Sequence, residues 1–406
     1  RWGNFWSASA AWVISKEDFL DFDWIDLLKI KASYGQQGND AIADFLYTTR
    51  YDIVNSNGKP GAVPYALGSK DITWETQGNF NAGVDFELFR GRFGGTIEYF
   101  NRMTYDMLYP FTLPPSYGFT SYVDNIGDMR NQGVEIELRG TPIKTKNLEW
   151  NVNLNLTSYN NKITYLPEEK KTYEVDGFKG YTSGNKFFGE DCSLYTFHLK
   201  KYAGVSADGE SMWYYNAKDE AGNTILKTTT VYDNADEYLC GTSLPDVYGG
   251  FGTNLNFYGF DFSIDFSYQI GGQVYDSDYA GLMSSPTSSS KGTNFHADML
   301  NSWTSGNNSN IPRLQFDDTY SAGTSDRFLT DASYLSLNNI NIGYTLPRML
   351  TKKVGIENVR FYAAADNIWV WSQRKGLDPR QSITGSSTNS YYAPIRTISG
   401  GVTLTF

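Results

Sequence analysis

The stretch from Leu148 to Ile163, LEWNVNLNLTSYNNKI, carries two faces of opposite character. Trp150, Val152, Leu154 and Leu156 fall on one side of an extended strand. Glu149, Asn151, Asn153, Asn155 and Thr157 fall on the other, so a period of two holds over nine consecutive positions. A helix would scatter these residues around its axis. An unbroken apolar row opposite three aligned asparagines fits a strand between lipid and a wet lumen.

The same alternation recurs, giving 11 candidate strands. Trp6, Ala8, Ala10, Trp12 and Ile14 mark the first; Leu28, Ile30, Ala32 and Tyr34 the second; Phe80, Ala82, Val84, Phe86 and Leu88 the third. Phe93, Gly95, Ile97 and Tyr99 mark the fourth, and Val134, Ile136 and Leu138 the fifth. Beyond the sixth, already quoted, two strands meet across Tyr258 and Gly259. The ninth, Tyr334 to Leu346, switches parity near Asn338 and Asn339, which predicts a bulge. Val359 to Trp371 and Ile398 to Phe406 complete the set.

Short and long connections alternate along the chain, the longest being an insertion over 164–244. An antiparallel sheet so connected carries its long loops at one rim. The expected fold class is therefore all-β, a transmembrane antiparallel barrel with short periplasmic turns and long extracellular loops.

Composition narrows this further. Aromatics make up 16% of the 406 residues, yet no run of 18 apolar residues exists to form a transmembrane helix. Only alternate residues of a barrel strand need be apolar, so a negative mean hydropathy and insertion into a bilayer are compatible. The formal net charge of -11 argues against a nucleic-acid partner and fits a solvated acidic loop surface. The chain opens inside a strand, which leaves targeting unread and places the native N-terminus upstream as an expectation.

Two open strand edges of roughly ten residues in hydrocarbon would leave about ten backbone groups unpaired, a cost on the order of 20 kcal/mol or more. Domain stabilities are only about 5 to 15 kcal/mol. The expectation is that these strands are the second part of a larger barrel.

Six segments carry a family resemblance: NAGVDFELF from Asn81, EYFNRMTYDML from Glu98, NIGDMRNQGVEIEL from Asn125, LPDVYGGFGTNL from Leu244, SDRFLTDASYLSLNNINIGYTLP from Ser325 and GLDPR from Gly376. In this order the chain resembles the SusC/RagA family of TonB-dependent outer-membrane transporters over nearly its whole length. The resemblance implies that residues 1–406 are the C-terminal half of a 22-stranded barrel, whose plug, TonB-contact segment and first half would precede Arg1. It implies a place in the outer membrane of Bacteroidota, import of oligosaccharides or peptides, and no enzymatic activity. A SusD-like surface lipoprotein and the TonB–ExbB–ExbD complex are the implied partners, and no cofactor is.

The C-terminal RTISGGVTLTF ends on Val402, Leu404 and Phe406 in one row. Outer-membrane barrels resemble one another in ending on an aromatic strand that the assembly machinery reads; a ring at the headgroup level is the rival account.

Candidate chemistry is sparse. The chain has two histidines, His198 and His296, both in expected loops and neither in a metal-binding or triad spacing, so no catalytic or metal site is expected. Loop acids such as Asp233, Asp236 and Glu237 fit an acidic loop as well as paired glycosidase carboxylates or a calcium site. Cys192 and Cys240 share the long insertion. They form either a disulfide, worth about 3 to 4 kcal/mol by loop entropy, or two free thiols. Ligand contact is expected of loop aromatics that can stack on a sugar or cover a peptide: Tyr117, Phe119, Trp213, Tyr214, Tyr215, Tyr391 and Tyr392, with Tyr109 and Phe111 in the same loops. Such rings also pack loops together or against a lid protein. Trp369 and Trp371 suit the aromatic girdle. Beside import, two further classes stay in view: a non-transporting surface scaffold and a secreted β-rich carbohydrate enzyme.

Overall fold

The computed structural model describes residues 3–41, 43–125, 127–288, 292–387 and 392–406. Eleven strands form one antiparallel sheet in which every strand pairs with its sequence neighbours. They are β1 (Ser7–Val13), β2 (Ile25–Asn39), β3 (Glu75–Leu88), β4 (Phe93–Tyr105), β5 (Asp128–Lys144) and β6 (Leu148–Tyr165), then β7 (Val247–Phe257), β8 (Phe260–Ile270), β9 (Tyr334–Thr345), β10 (Asn358–Ser372) and β11 (Thr397–Thr405). The connections 14–24, 89–92, 145–147, 258–259 and 346–357 lie at one rim, and 40–74, 106–127, 166–246, 271–333 and 373–396 at the other.

Register turns the alternation of single strands into continuous faces. Trp12 stands opposite Ile30, Ile30 opposite Val84, Val84 opposite Ile97, Ile97 opposite Ile136, and Ile136 opposite Leu156. Directly opposed side chains share a face, so this is one apolar row across six strands. Much of it is bare: Trp12, Ile30 and Ile97 are each exposed, as are Phe251, Ile342 and Phe361 farther round. Such a continuous exposed apolar face fits lipid and would be a liability in water.

The opposite face is polar and joined across strands. Lys29 Nζ lies 3.2 Å from Asp85, and Lys31 Nζ lies 3.1 Å from Asp85 and 3.0 Å from Glu98. Thr96 donates to Asp85 at 3.0 Å. Beyond β8, Arg360 Nε donates to Asp261 at 2.9 Å, and Asn339 donates to Asp366 at 2.7 Å. Gly343 makes room for the Arg360 pair, because a Cβ there would come 2.4 Å from Asp261 Oδ1.

The expected bulge is present: the β8–β9 register slips between Asp265 and Phe266, and that of β9–β10 between Leu337 and Asn339. The slip keeps both Leu337 and Ile340 on the apolar face. The two-residue turn at Tyr258 and Gly259 has positive φ at both positions (46° and 88°), the geometry of a type I′ hairpin.

The compact apolar clusters sit in the loops. One joins Met107, Ile163, Leu166, Tyr181 and Phe188; others centre on Val175 and Phe187, on Val274 and Leu377, and on Met283 and Phe328. β6 runs to Tyr165, so the insertion expected at 164–244 spans 166–246. It is a folded unit with a five-stranded and a three-stranded sheet.

Candidate functional site

Each long loop takes its shape from local turn chemistry and then from its neighbours. In 40–74, strands Arg50–Ser56 and Lys59–Ala66 meet across Asn57 and Gly58, both at positive φ. In 106–127, Leu108–Thr112 pairs with Ser121–Asn125. Asn125 ties these two loops together: its Oδ1 accepts from Thr73 N at 2.8 Å, and its Nδ2 donates to Thr73 O at 3.2 Å and Asp106 O at 2.6 Å. Ser69 donates to Asp124 at 2.8 Å. In the fourth loop Asp276 caps the helix Ser277–Leu282 by accepting from Tyr279 N at 3.0 Å. The same fully buried carboxylate pairs with Arg374 of the fifth loop.

Between the first three loops lies a cavity of about 690 Å³ lined by Tyr109, Tyr117, Tyr122 and Tyr181, with Leu67 and Glu169 beside them. Its aromatic wall is braced from behind. Tyr181 stacks on Phe188 with ring centroids 5.1 Å apart, and Tyr109 tilts onto the same ring at 6.0 Å. Buried Lys170 donates to the Tyr122 hydroxyl at 2.9 Å. Burial pushes the Tyr181 phenol far above its ordinary value, which keeps it a protonated donor. Flat faces with hydroxyls at their edges and a carboxylate at the rim suit a ring or an extended chain carrying polar groups at its margin.

The aromatics expected from sequence divide accordingly. Tyr117 lines this cavity and is well exposed, and Tyr109 joins it. Trp213 does not serve as expected: it is 2% exposed in the three-stranded sheet, its ring set edge-on to Tyr232 at 5.1 Å, so it is loop core. Tyr214 and Tyr215 follow it in the same strand, half-buried, as Phe119 is in its own loop. Tyr392 is 99% exposed and stands apart from the cavity, while Tyr391 lies outside the described residues. Tyr122 and Tyr181 were missed, because only pairing of distant loops brings them to one wall.

Cys192 and Cys240 are both free, so the disulfide alternative is not met. The Cys192 thiol packs with Val175 and Phe187, whereas Cys240 Sγ turns to the carbonyls of Tyr238 and Leu199 at 3.4 and 3.7 Å. Burial raises both thiols, to about 11 and about 12, which disfavours the thiolate form. Both histidines make contacts within the loops. His198 is buried between Tyr173 and Phe187, and burial lowers its pKa although Glu237 lies 3.4 Å away. His296 Nδ1 accepts from Asp298 N at 3.2 Å and caps a turn. Asp236 accepts from Asn216 N at 2.6 Å, so the acid group Asp233, Asp236 and Glu237 is partly committed to loop structure. Among the described residues no group of His, Cys, Asp or Glu is placed to hold a metal.

At the end of the chain Val402 stands opposite Phe361 and Leu404 opposite Val359, and Phe406 is 83% exposed beyond them. Trp369 and Trp371 stand opposite Leu337 and Leu335 on the apolar face, as a girdle requires.

An antiparallel meander with an apolar outer face, a polar inner face and all long loops at one rim defines a bacterial outer-membrane β-barrel wall. Comparison with known proteins agrees. The profile of the family described as TonB dependent receptor-like, beta-barrel matches residues 1–190. TonB-dependent receptor P3 of Formosa agariphila is 27% identical over all of this chain and 42% of its own length. TonB-dependent receptor SusC of Bacteroides thetaiotaomicron is 28% identical over 96% of this chain and 39% of its own. A solved structure of the RagAB peptide transporter superposes with a TM-score of 0.85 at 26% identity, covering 99% of this chain and 43% of that one. The chain is thus similar over nearly its whole length to part of the barrel of TonB-dependent receptors of the SusC/RagA type. It spans about two-fifths of the length of the curated relatives it matches.

Proposed function

We propose that this chain forms part of the barrel of a TonB-dependent importer that carries oligosaccharides or peptides across the outer membrane. The observation that carries the reading is the tyrosine-lined cavity among the long loops, at the rim of a sheet whose inner face is polar. A stacking surface at the outer rim collects a dilute nutrient, and a wall of charged and amide groups lets it pass hydrated. A SusD-like surface lipoprotein is the proposed lid. Energy would come from the TonB–ExbB–ExbD complex, acting on a part of the receptor outside this sequence. Phe406, Leu404 and Val402 are proposed as the signal read during barrel assembly.

The test is uptake by cells carrying the complete receptor, supplied with labelled oligosaccharide and peptide mixtures. Replacing Tyr109 and Tyr117 together by Ala is expected to reduce capture of the imported class on the order of tenfold, one to two stacking contacts being lost. Receptor abundance should not change. Undiminished uptake of both mixtures by that variant, or by cells lacking the receptor, would overturn the reading.

A further inference from the structure

The lipid-facing surface is interrupted at the short-turn rim by a groove of about 580 Å³ between β4, β5, β6 and the turn 89–92. Phe89, Phe93, Leu138, Val152 and Leu154 form its apolar walls. A missing side chain opens it: Gly140, one of the lining residues, stands opposite Phe93 and Val152 in a row that elsewhere holds apolar groups. No backbone atom forbids a side chain at Gly140, where the nearest neighbour of a Cβ would be Val152 Cγ2 at 3.3 Å.

Charge lies at the mouth of this groove. Arg92 is among its lining residues and Arg90 is on the same turn. The nearby Arg139 is paired with Glu87, whereas Arg90 and Arg92 make no ion pair among the described residues. The adjoining turn adds Lys144 and Lys146, both exposed. Phe89 stacks on Trp24 at 5.9 Å beside the arginines, which sets this level at the membrane interface, where aromatic rings gather. Guanidinium groups at headgroup depth above an apolar slot match a phosphate joined to acyl chains.

We propose that this groove is a binding site for one anionic glycerophospholipid of the periplasmic leaflet, its phosphate held by Arg90 and Arg92 and an acyl chain lying over Gly140 between Phe93 and Val152. Free phosphate would not use the apolar walls. A zwitterionic lipid would fill the slot but gain less from the arginines.

The test is native mass spectrometry of the complete receptor, purified in detergent and given equal amounts of phosphatidylglycerol and phosphatidylcholine. The wild type is expected to retain phosphatidylglycerol roughly tenfold better, from two cationic contacts near the surface. R90Q/R92Q should bring the ratio close to one. Gly140→Leu should lower retention of both lipids, with heat-modifiable gel migration confirming its fold. K352Q/K353Q, which removes two charges elsewhere on the same rim, should leave the ratio unchanged. Equal retention of the two lipids by the wild type, an unaltered ratio in R90Q/R92Q, or an equal loss in K352Q/K353Q would overturn the proposal.

Discussion

Neighbouring residues of one strand have opposite duties here. Leu154 stands between Leu138 and Phe251 on the apolar face, while Asn153 stands between Arg139 and Gly252 on the polar one. Replacing Leu154 by Arg in the complete receptor should cost about 2 to 4 kcal/mol of barrel stability, and replacing Asn153 by Ser well under 1 kcal/mol. Urea titration of the folded band in vesicles would measure both. Lys186 offers a test of the loop head. Its ammonium is largely buried over the Phe197 ring and donates to Tyr195 O at 3.0 Å with no carboxylate paired to it among the described residues, and burial lowers its pKa from 10.5 to about 7. Between about pH 7 and 10.5 the unfolded chain binds a proton that the folded head does not, so stability should rise with pH across that window and its slope should flatten below it. Lys186→Met should remove this rise, measured as the difference in thermal midpoint between the two proteins from pH 7 to 10. Trp213 shows the limit of reading single residues: its neighbours Tyr214 and Tyr215 suggested a binding stripe, but the strand sits inside a small sheet where Tyr232 covers the indole.

The strands were legible because each carries its own evidence. Alternation in Leu148–Ile163 needs no partner to be recognised, and register then aligned those rows without conflict. Even the β9 bulge was visible, since a parity switch at Asn338 and Asn339 has no other economical cause in a strand that must keep one face in lipid. The loops were not legible, because their order comes from contacts between residues far apart in sequence. Lys170 reaching Tyr122, Tyr202 N bonding Asp326, and Arg374 meeting Asp276 leave no local pattern. The motif residue Asn125 is a case in which the sequence drew attention to a residue without revealing its work. It links the first and second loops, and Asn125→Ala should loosen them by about 1 to 3 kcal/mol, the cost of stranding several backbone partners. Hydrogen exchange should quicken over 106–125 and stay unchanged in β7 and β8; wild-type protection over 106–125 in the variant would show that the anchor is dispensable.

Taken whole, the molecule separates its two kinds of apolar surface. One is an exposed sheet of Trp, Ile, Leu and Phe that only a bilayer can cover; the other is packed into loop clusters at a single rim. β1 and β11 are the two edges of the 11-stranded sheet, and backbone groups at a strand edge in hydrocarbon are costly unless another strand pairs with them. Most of each of the two receptors quoted above lies outside the part aligned with this chain, which covers 42% and 39% of them. The central claim is the in-and-out assignment of the wall, on which both the import reading and the lipid groove depend. It is tested most directly by spin labels placed one at a time at positions 150 to 157 of the complete receptor in bilayers, measuring collision with oxygen and with a water-soluble nickel chelate. Oxygen collision should peak at 150, 152, 154 and 156 and nickel collision at 151, 153, 155 and 157, whereas equal nickel access at both sets would contradict a wall between lipid and a wet lumen.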